Sequence, residues 1–161
     1  MGGRMMDIKT IDFHQLVAAL KKPKPVILWL DDERDPLSIY PSRFGYEPGE
    51  YKPTWVESIV GKLNNSNTSN WEVVWVKNYK EFVNYIETHG LPDVVCFDHD
   101  LGEQMTGMNC AEYLVDVLLE CDSIGPIVRC QSFNPGGAAK ILGLCNNWRE
   151  HYVKEHPNQF K

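Results

Sequence analysis

The sequence predicts a small α/β protein built on a mainly parallel sheet of about four strands. Three observations support this fold class: short apolar runs recur along the chain, segments with helical periodicity separate them, and carboxylates follow two of the runs. Short runs rich in β-branched and aromatic residues indicate buried strands. Because strands alternate with helices, we expect a doubly wound, parallel sheet with helices on both faces. The predicted strands are residues 26–30, 71–76, 94–98 and 126–130.

A capping residue marks the start of the helix that follows each predicted strand. The first two of these residues have Glu three positions later, which is the spacing of a capping box. The last is followed by Pro, which is favoured at the first position of a helix. The predicted helix starts are Thr54, Asn78, Thr106 or Gly107, and Asn134.

The chain is expected to form one domain with a short element at each end. Residues 1–25 are predicted to hold an N-terminal helix and a linker, and residues 153–161 a C-terminal tail. Residues 26–152 then form the α/β domain, with a long insertion at residues 36–70 whose aromatic side chains favour an ordered loop. The sequence predicts four strands and lacks the fifth strand that is usual in a doubly wound domain. We expect the N-terminal helix to cover the sheet edge that this fifth strand would occupy.

Composition and charge limit the classes of partner. The net charge of −6 argues against general DNA or RNA binding, which normally requires a basic face, but it allows one nucleotide or one RNA end bound through a metal. The number of cysteines is odd and no CxxC pair occurs, so we interpret them as small buried hydrophobic residues. No signal peptide or membrane-spanning run is recognised, and a reducing cytoplasmic location without a membrane partner is expected.

Carboxylates follow the first and third predicted strands. Asp31 and Asp32 come after the first strand, and Asp98 and Asp100 lie at the end of the third. These strands are neighbours in a doubly wound sheet, so the carboxylates are expected to lie close together and to need a cation. Oxygen ligands of this kind suit Mg²⁺ or Mn²⁺. The alternative is that these residues only cap the following segments and are solvated.

The turn after the fourth predicted strand has the composition of a phosphate site. Ser132 and Asn134 supply polar side chains, and Gly136 and Gly137 allow a ligand to approach the backbone N–H groups. A helix N-terminus with exposed amides attracts anions, and phosphate is the expected ligand beside a metal. The alternative is an ordinary capped helix start.

Two further residues have open roles. His99 stands between two candidate ligands and is interpreted as a general acid, a ligand or a packed core residue. Arg34 follows the first acidic pair, where it either binds phosphate or pairs with Asp35.

Taken together, these motifs resemble the receiver-like family of cyclic-phosphate processing receiver domains, found in bacteria and phages. The resemblance spans roughly residues 26–148 and rests on LDDERDP at 30–36, FDHDLG at 97–102, TG at 106–107 and QSFNPGG at 131–137. It implies a receiver-like sheet of order 2-1-3-4 and work on cyclic-phosphate nucleotides or RNA ends. Two departures stand out: the receiver lysine after a fifth strand has no counterpart, and Gln131 stands where His is common in the family.

The leading hypothesis is a metal-dependent phosphate-handling domain, with phosphodiesterase or phosphohydrolase chemistry on a phosphate-bearing nucleotide or RNA end. The nucleophile is either a metal-activated water or Asp98 itself. The alternative is a module without turnover, a degenerate receiver that binds a nucleotide to sequester a signal or engages a protein partner. The candidate metal ligands are Asp31, Asp32, Asp98 and Asp100; the catalytic candidates are Asp98, His99 and Ser132; the phosphate-binding candidates are Ser132, Asn134, Gly136, Gly137 and Arg34.

Overall fold

The computed structural model describes residues 24–61 and 71–161. The predicted N-terminal helix lies outside the described residues, and so does the part of the insertion at residues 62–70. The prediction that this helix covers a sheet edge therefore stays a prediction.

The sheet has four parallel strands in the order β2-β1-β3-β4, which confirms the predicted fold class and strand order. Each strand begins or ends within one residue of its predicted position. Central strands β1 and β3 are apolar at every position and are buried on both faces, as a parallel sheet requires. The bounds are β1 Val26–Leu30, β2 Glu72–Val76, β3 Val94–Phe97 and β4 Ile127–Cys130.

Within the described residues, four α-helices alternate with the strands, and their N-caps are the residues predicted from the sequence. The side chains of Thr54, Asn78 and Asn134 each accept a hydrogen bond from the backbone N–H three residues later. At Thr106 the backbone N–H is the donor, and the side chain of Asn109, three residues later, accepts from it at 2.8 Å. The bounds are α1 Trp55–Val60, α2 Tyr79–His89, α3 Gly107–Cys121 and α4 Pro135–Glu155.

The two faces of the sheet are packed differently. Alternate residues of β1 and β3, such as Leu30 and Phe97, join α2, α3 and α4 in the larger core. The other residues of these strands, such as Trp29 and Cys96, face helix α1 in a smaller cluster. Burial raises the pKa of Cys145 to about 11, so this thiol stays protonated and packs as the small hydrophobic group expected.

The C-terminal end of the chain is tied to the domain. Helix α4 runs to Glu155, three residues into the segment predicted as a tail, and a 3₁₀ turn follows at Pro157–Gln159. The Tyr152 hydroxyl donates to the Asp122 carbonyl at 3.3 Å, and His156 Nε2 lies 3.2 Å from the Asp122 carboxylate. The end of α4 is thereby held against the end of α3.

Candidate functional site

Three carboxylates meet at the carboxyl edge of the sheet. Leu30 pairs with Phe97 in the register of β1 and β3, so the next residues, Asp31 and Asp98, are neighbours. The Asp98 N–H continues the ladder by donating to the Leu30 carbonyl at 2.9 Å. Asp32 completes the group, and one oxygen from each of the three carboxylates lies within 4.8 Å of the others. The structure thus brings together three of the four residues predicted as metal ligands.

The acidic group is largely withdrawn from water. Asp31 is fully buried and Asp98 is 5% exposed. Burial raises the pKa of Asp31, although hydrogen bonds from the backbone N–H groups of Arg34 and Glu33 act in the opposite direction. Burial also raises the pKa of Asp32. The ionised forms therefore need a compensating positive charge.

Arg34 supplies that charge from within the chain. Its Nε lies 2.7 Å from Asp31 Oδ2 and its Nη2 lies 2.7 Å from Asp98 Oδ2. Burial lowers the pKa of Arg34, but the contacts with Asp98 and Asp31 outweigh it and raise the pKa overall. The suggested pairing of Arg34 with Asp35 is wrong, because the buried carboxylates offer the guanidinium a fork of two acceptors across the strand ends.

Two aromatic rings enclose the Arg34 guanidinium. Its central carbon lies 5.3 Å from the Trp55 ring centroid and 4.8 Å from that of Phe133. Its Nη1 also donates to the Gln131 carbonyl at 2.9 Å. A cavity of about 500 Å³ opens here, which is within the usual size of a small-molecule site. It is lined by Asp31, Asp32, Glu33, Arg34, Trp55, Asp98, Asp100, Gly102, Ser132 and Phe133.

Asp100 lines the cavity but its carboxylate is engaged elsewhere. One oxygen lies 2.8 Å from His99 Nδ1, and the other accepts from the Asn134 side-chain amide at 3.3 Å. The contact with His99, followed by that with Asn134, lowers the pKa of Asp100 despite some desolvation. The cluster of three carboxylates found among the described residues does not include Asp100, which stays only a predicted ligand.

His99 faces the start of helix α4. A Cβ added to Gly137 would collide with the His99 ring, which shows how closely this ring packs on the helix backbone. His99 Nδ1 contacts Asp100 and the Asn134 amide, and the ring is not among the described side chains that line the cavity. Of the three roles considered for His99, these contacts favour the packed residue, and its catalytic role stays a prediction.

The turn before α4 holds the predicted phosphate ligands, already bonded to one another. Asn134 Oδ1 accepts from the Gly137 N–H at 2.9 Å, and Ser132 Oγ accepts from the Asn134 N–H at 3.1 Å. Gly136 is exposed, with only the Asn134 Oδ1 within 4 Å of an added Cβ, whereas Gly137 is buried. Both glycines were expected to let a ligand approach free backbone N–H groups. The Gly137 N–H is instead bonded to Asn134 and His99 packs against its backbone, so Gly137 stays only a predicted phosphate ligand.

Two residues at the site were missed from the sequence, and a third, Gln131, was noted only as a departure from the family pattern. Trp55 opens α1, and its place in the cavity wall depends on how the insertion folds back over β1. Phe133 stands between the predicted ligands Ser132 and Asn134, so its position in the motif was a usable signal. Gln131 is buried and donates from Nε2 to the Leu30 carbonyl at 3.0 Å, a contact that no sequence pattern indicates.

The donor set fits a hard divalent cation. All three clustered groups offer carboxylate oxygen, which is the ligand that Mg²⁺ and Mn²⁺ prefer. Asp31 Oδ2 is buried, and the partner shown for it in the described part of the chain is Arg34 Nε at 2.7 Å. The residues Asp31, Asp32 and Asp98 therefore suit Mg²⁺, with Arg34 as the competing positive charge.

Comparison with known proteins agrees with this geometry. The family model described as the cyclic-phosphate processing Receiver domain matches residues 26–147. The chain belongs to this family. The match contains β1 to β4 and every residue of the site described above, and it confirms the resemblance noted from the sequence motifs.

Comparison with solved structures found nine matching chains, two of which are described here. A fusion carrying the yeast Spc42 trimeric coiled coil is 14% identical with a TM-score of 0.43, over 86% of this chain and 83% of that one. NtrX from Brucella abortus is 14% identical with a TM-score of 0.39, over 84% of this chain and 29% of that one. No curated protein matched. Within residues 24–61 and 71–161, no helix is long and apolar enough to span a bilayer.

Proposed function

We propose that this protein is a metal-dependent phosphate-handling domain that acts on a nucleotide or RNA end carrying a cyclic phosphate. The observation that carries the proposal is the group of Asp31, Asp32 and Asp98, whose oxygens lie within 4.8 Å of one another beside the cavity. Membership of the cyclic-phosphate processing family supports the substrate class.

Asp31, Asp32 and Asp98 are the residues that would hold Mg²⁺ or Mn²⁺. When bound, the ion would supply a Lewis acid that stabilises charge on a phosphate oxygen. Asp32 is the most exposed of the three and takes no part in the Arg34 ion pairs, so its carboxylate would be the one most open to an ion from solvent. Asp31 is fixed by the hydrogen bonds from Glu33 and Arg34 and supplies a rigid carboxylate.

The phosphate would be held from the opposite side. Ser132 Oγ accepts from the Asn134 N–H, so its own proton remains available for a phosphate oxygen. The Gly136 N–H is at the second position of α4, which has no acceptor inside the helix. Arg34 contributes a charged fork at the cavity wall once phosphate or metal competes for its carboxylates.

A second candidate function is nucleotide binding without turnover. It is favoured by the state of the proton-transfer groups: the Gln131 amide cannot shuttle a proton, and His99 is packed against Gly137. Asp98 also has both oxygens engaged, one by Arg34 and one by the His99 N–H at 2.8 Å. These contacts support phosphate binding more directly than they support phosphate cleavage.

The test is incubation with adenosine 2′,3′-cyclic phosphate, with and without Mg²⁺, followed by ³¹P NMR. Ring opening that needs Mg²⁺ and is lost in Asp98→Asn supports the enzyme, with Asp116→Asn on the exposed side of α3 as the matched control. Binding by calorimetry without ring opening supports the binding module. Neither binding nor turnover would reject both.

A further inference from the structure

The ring of Phe133 is held open to solvent at the wall of the acidic cavity. It is 79% exposed and lies between Ser132 and Asn134, at the turn that is proposed to hold phosphate. One face of the ring lies over Arg34, and Trp55 meets it edge-on with centroids 6.2 Å apart. These two contacts fix the orientation of the ring, and its exposure leaves the face turned away from Arg34 free.

An exposed aromatic face that is fixed beside a phosphate site is suited to a nucleobase. Stacking of a base on an aromatic side chain is tolerant of sequence and is available only to a base that is not already stacked in a duplex. We propose that Phe133 stacks on the base of one unpaired nucleotide whose phosphate lies at the turn of Ser132 and Asn134, which makes Phe133 a specificity-determining residue. This inference rests on the proposed function and adds which residue recognises the base of the substrate.

The charge of the cavity limits recognition to a single nucleotide. The described residues that line it include five carboxylate side chains, and Arg34 is the cation among them. The whole chain carries a net charge of −6. Phosphates beyond the first would therefore meet repulsion that no basic surface offsets. A free nucleotide and the terminal nucleotide of an RNA present the same chemistry, and a longer strand gains nothing from this wall.

The experiment is calorimetric titration in Mg²⁺ with two probes, adenosine 2′,3′-cyclic phosphate and the base-free glycerol 1,2-cyclic phosphate. Phe133→Leu keeps apolar bulk against Arg34 but removes the aromatic face, and it should weaken nucleotide binding about tenfold. The same variant should bind the base-free probe as the wild type does. Phe133→Tyr should restore nucleotide affinity, because the ring face is kept.

Phe44 offers a matched control. It is 93% exposed and also has a neighbouring arginine over its ring, with Arg43 Cζ at 5.9 Å, but it lies outside the cavity wall. Phe44→Leu should therefore leave binding of both probes unchanged. An equal loss in Phe44→Leu and Phe133→Leu would overturn the proposal, because exposed aromatic rings in general would then account for the effect.

Other outcomes separate this inference from the proposed function. Unchanged nucleotide binding by Phe133→Leu, with the base-free probe still bound, overturns base stacking and leaves the proposed function standing. Failure of the wild type to bind either probe overturns both. A trinucleotide ending in a 2′,3′-cyclic phosphate should bind within about twofold of the mononucleotide, and markedly tighter binding would overturn recognition of a single nucleotide.

Discussion

The cavity has two walls, a strand wall formed by the carboxylates that follow β1 and β3 and a helix wall formed by the residues around the start of α4. Their polar residues differ in burial and in hydrogen bonding. On the strand wall, Asp31 and Asp98 are buried at the ends of β1 and β3 and form ion pairs with Arg34. On the helix wall, Asp100 is exposed and shares hydrogen bonds with His99 and Asn134. The carboxylates of the strand wall therefore carry more negative charge than Arg34 compensates. The polar side chains of the helix wall are largely hydrogen-bonded to one another. We propose that the strand wall binds the ion and that the helix wall contacts phosphate.

Removing Arg34 should have the largest effect, because it leaves two buried carboxylates without their cation. Arg34→Ala is expected to lower the free energy of unfolding without divalent ions by about 3–5 kcal/mol. Mg²⁺ should then stabilise this variant more than the wild type, since the ion no longer competes with a guanidinium. Urea denaturation with and without Mg²⁺ measures both effects. Arg43→Ala, which removes an exposed arginine near Phe44, is the control. Equal responses of the two variants to Mg²⁺ would show that Arg34 and the ion do not share a site.

The two glycines of the helix wall should differ in their tolerance of a side chain. Gly137→Ala is expected to lower the free energy of unfolding by about 1–3 kcal/mol, because its Cβ would collide with the His99 ring. Gly136→Ala has open space and should be neutral or stabilising by up to about 1 kcal/mol, as alanine favours the helix. Thermal melting of both variants checks this order. Equal tolerance of the two substitutions would show that His99 is not packed on the start of α4.

The smallest expected effect is a difference in pH dependence between the walls. The pKa of Asp32 is raised in the folded state, so its ionisation removes stability as the pH rises from 3.8 through the folded pKa. The pKa of Asp100 is lowered, so its contribution is present above 3.8 and is lost as the pH falls through the folded pKa. Without metal at pH 7, Asp32→Asn should therefore raise the free energy of unfolding and Asp100→Asn should lower it. Urea titrations of both variants at pH 7 and in acid test the signs, and changes of the same sign would contradict the distinction between the walls.

The sequence was sufficient to predict the strand order of the sheet and the grouping of Asp31, Asp32 and Asp98. The apolar runs of β1 and β3 can be buried on both faces only as central parallel strands, which brings Asp31 and Asp98 together. The partner of Arg34 was not predictable, because the local sequence offers Asp35 as readily as Asp31, and Asp98 is distant along the chain. The closeness of Gly137 to His99 depends on how the start of α4 packs against the loop after β3. That packing could not be predicted from the local sequence.

Residues contributed by the insertion were also hard to predict. Trp55 reaches the cavity because the segment before it returns to the domain, with Tyr40 N–H donating to the Pro53 carbonyl at 2.8 Å. Its ring then meets Tyr40 edge-on with centroids 4.8 Å apart. A long Pro- and Gly-rich loop has many ways to fold back, so its sequence predicts order but not which side chain faces the site.

The most direct test of the central claim is the melting temperature as a function of Mg²⁺ concentration. The wild type and Asp100→Asn should both melt at higher temperature as Mg²⁺ increases, because the three clustered carboxylates remain intact in each. Asp98→Asn should show no rise, since it removes one of the three clustered carboxylates. A metal site on the strand wall would be contradicted by a rise that persists in Asp98→Asn. It would also be contradicted if neither Mg²⁺ nor Mn²⁺ changed the melting temperature of the wild type.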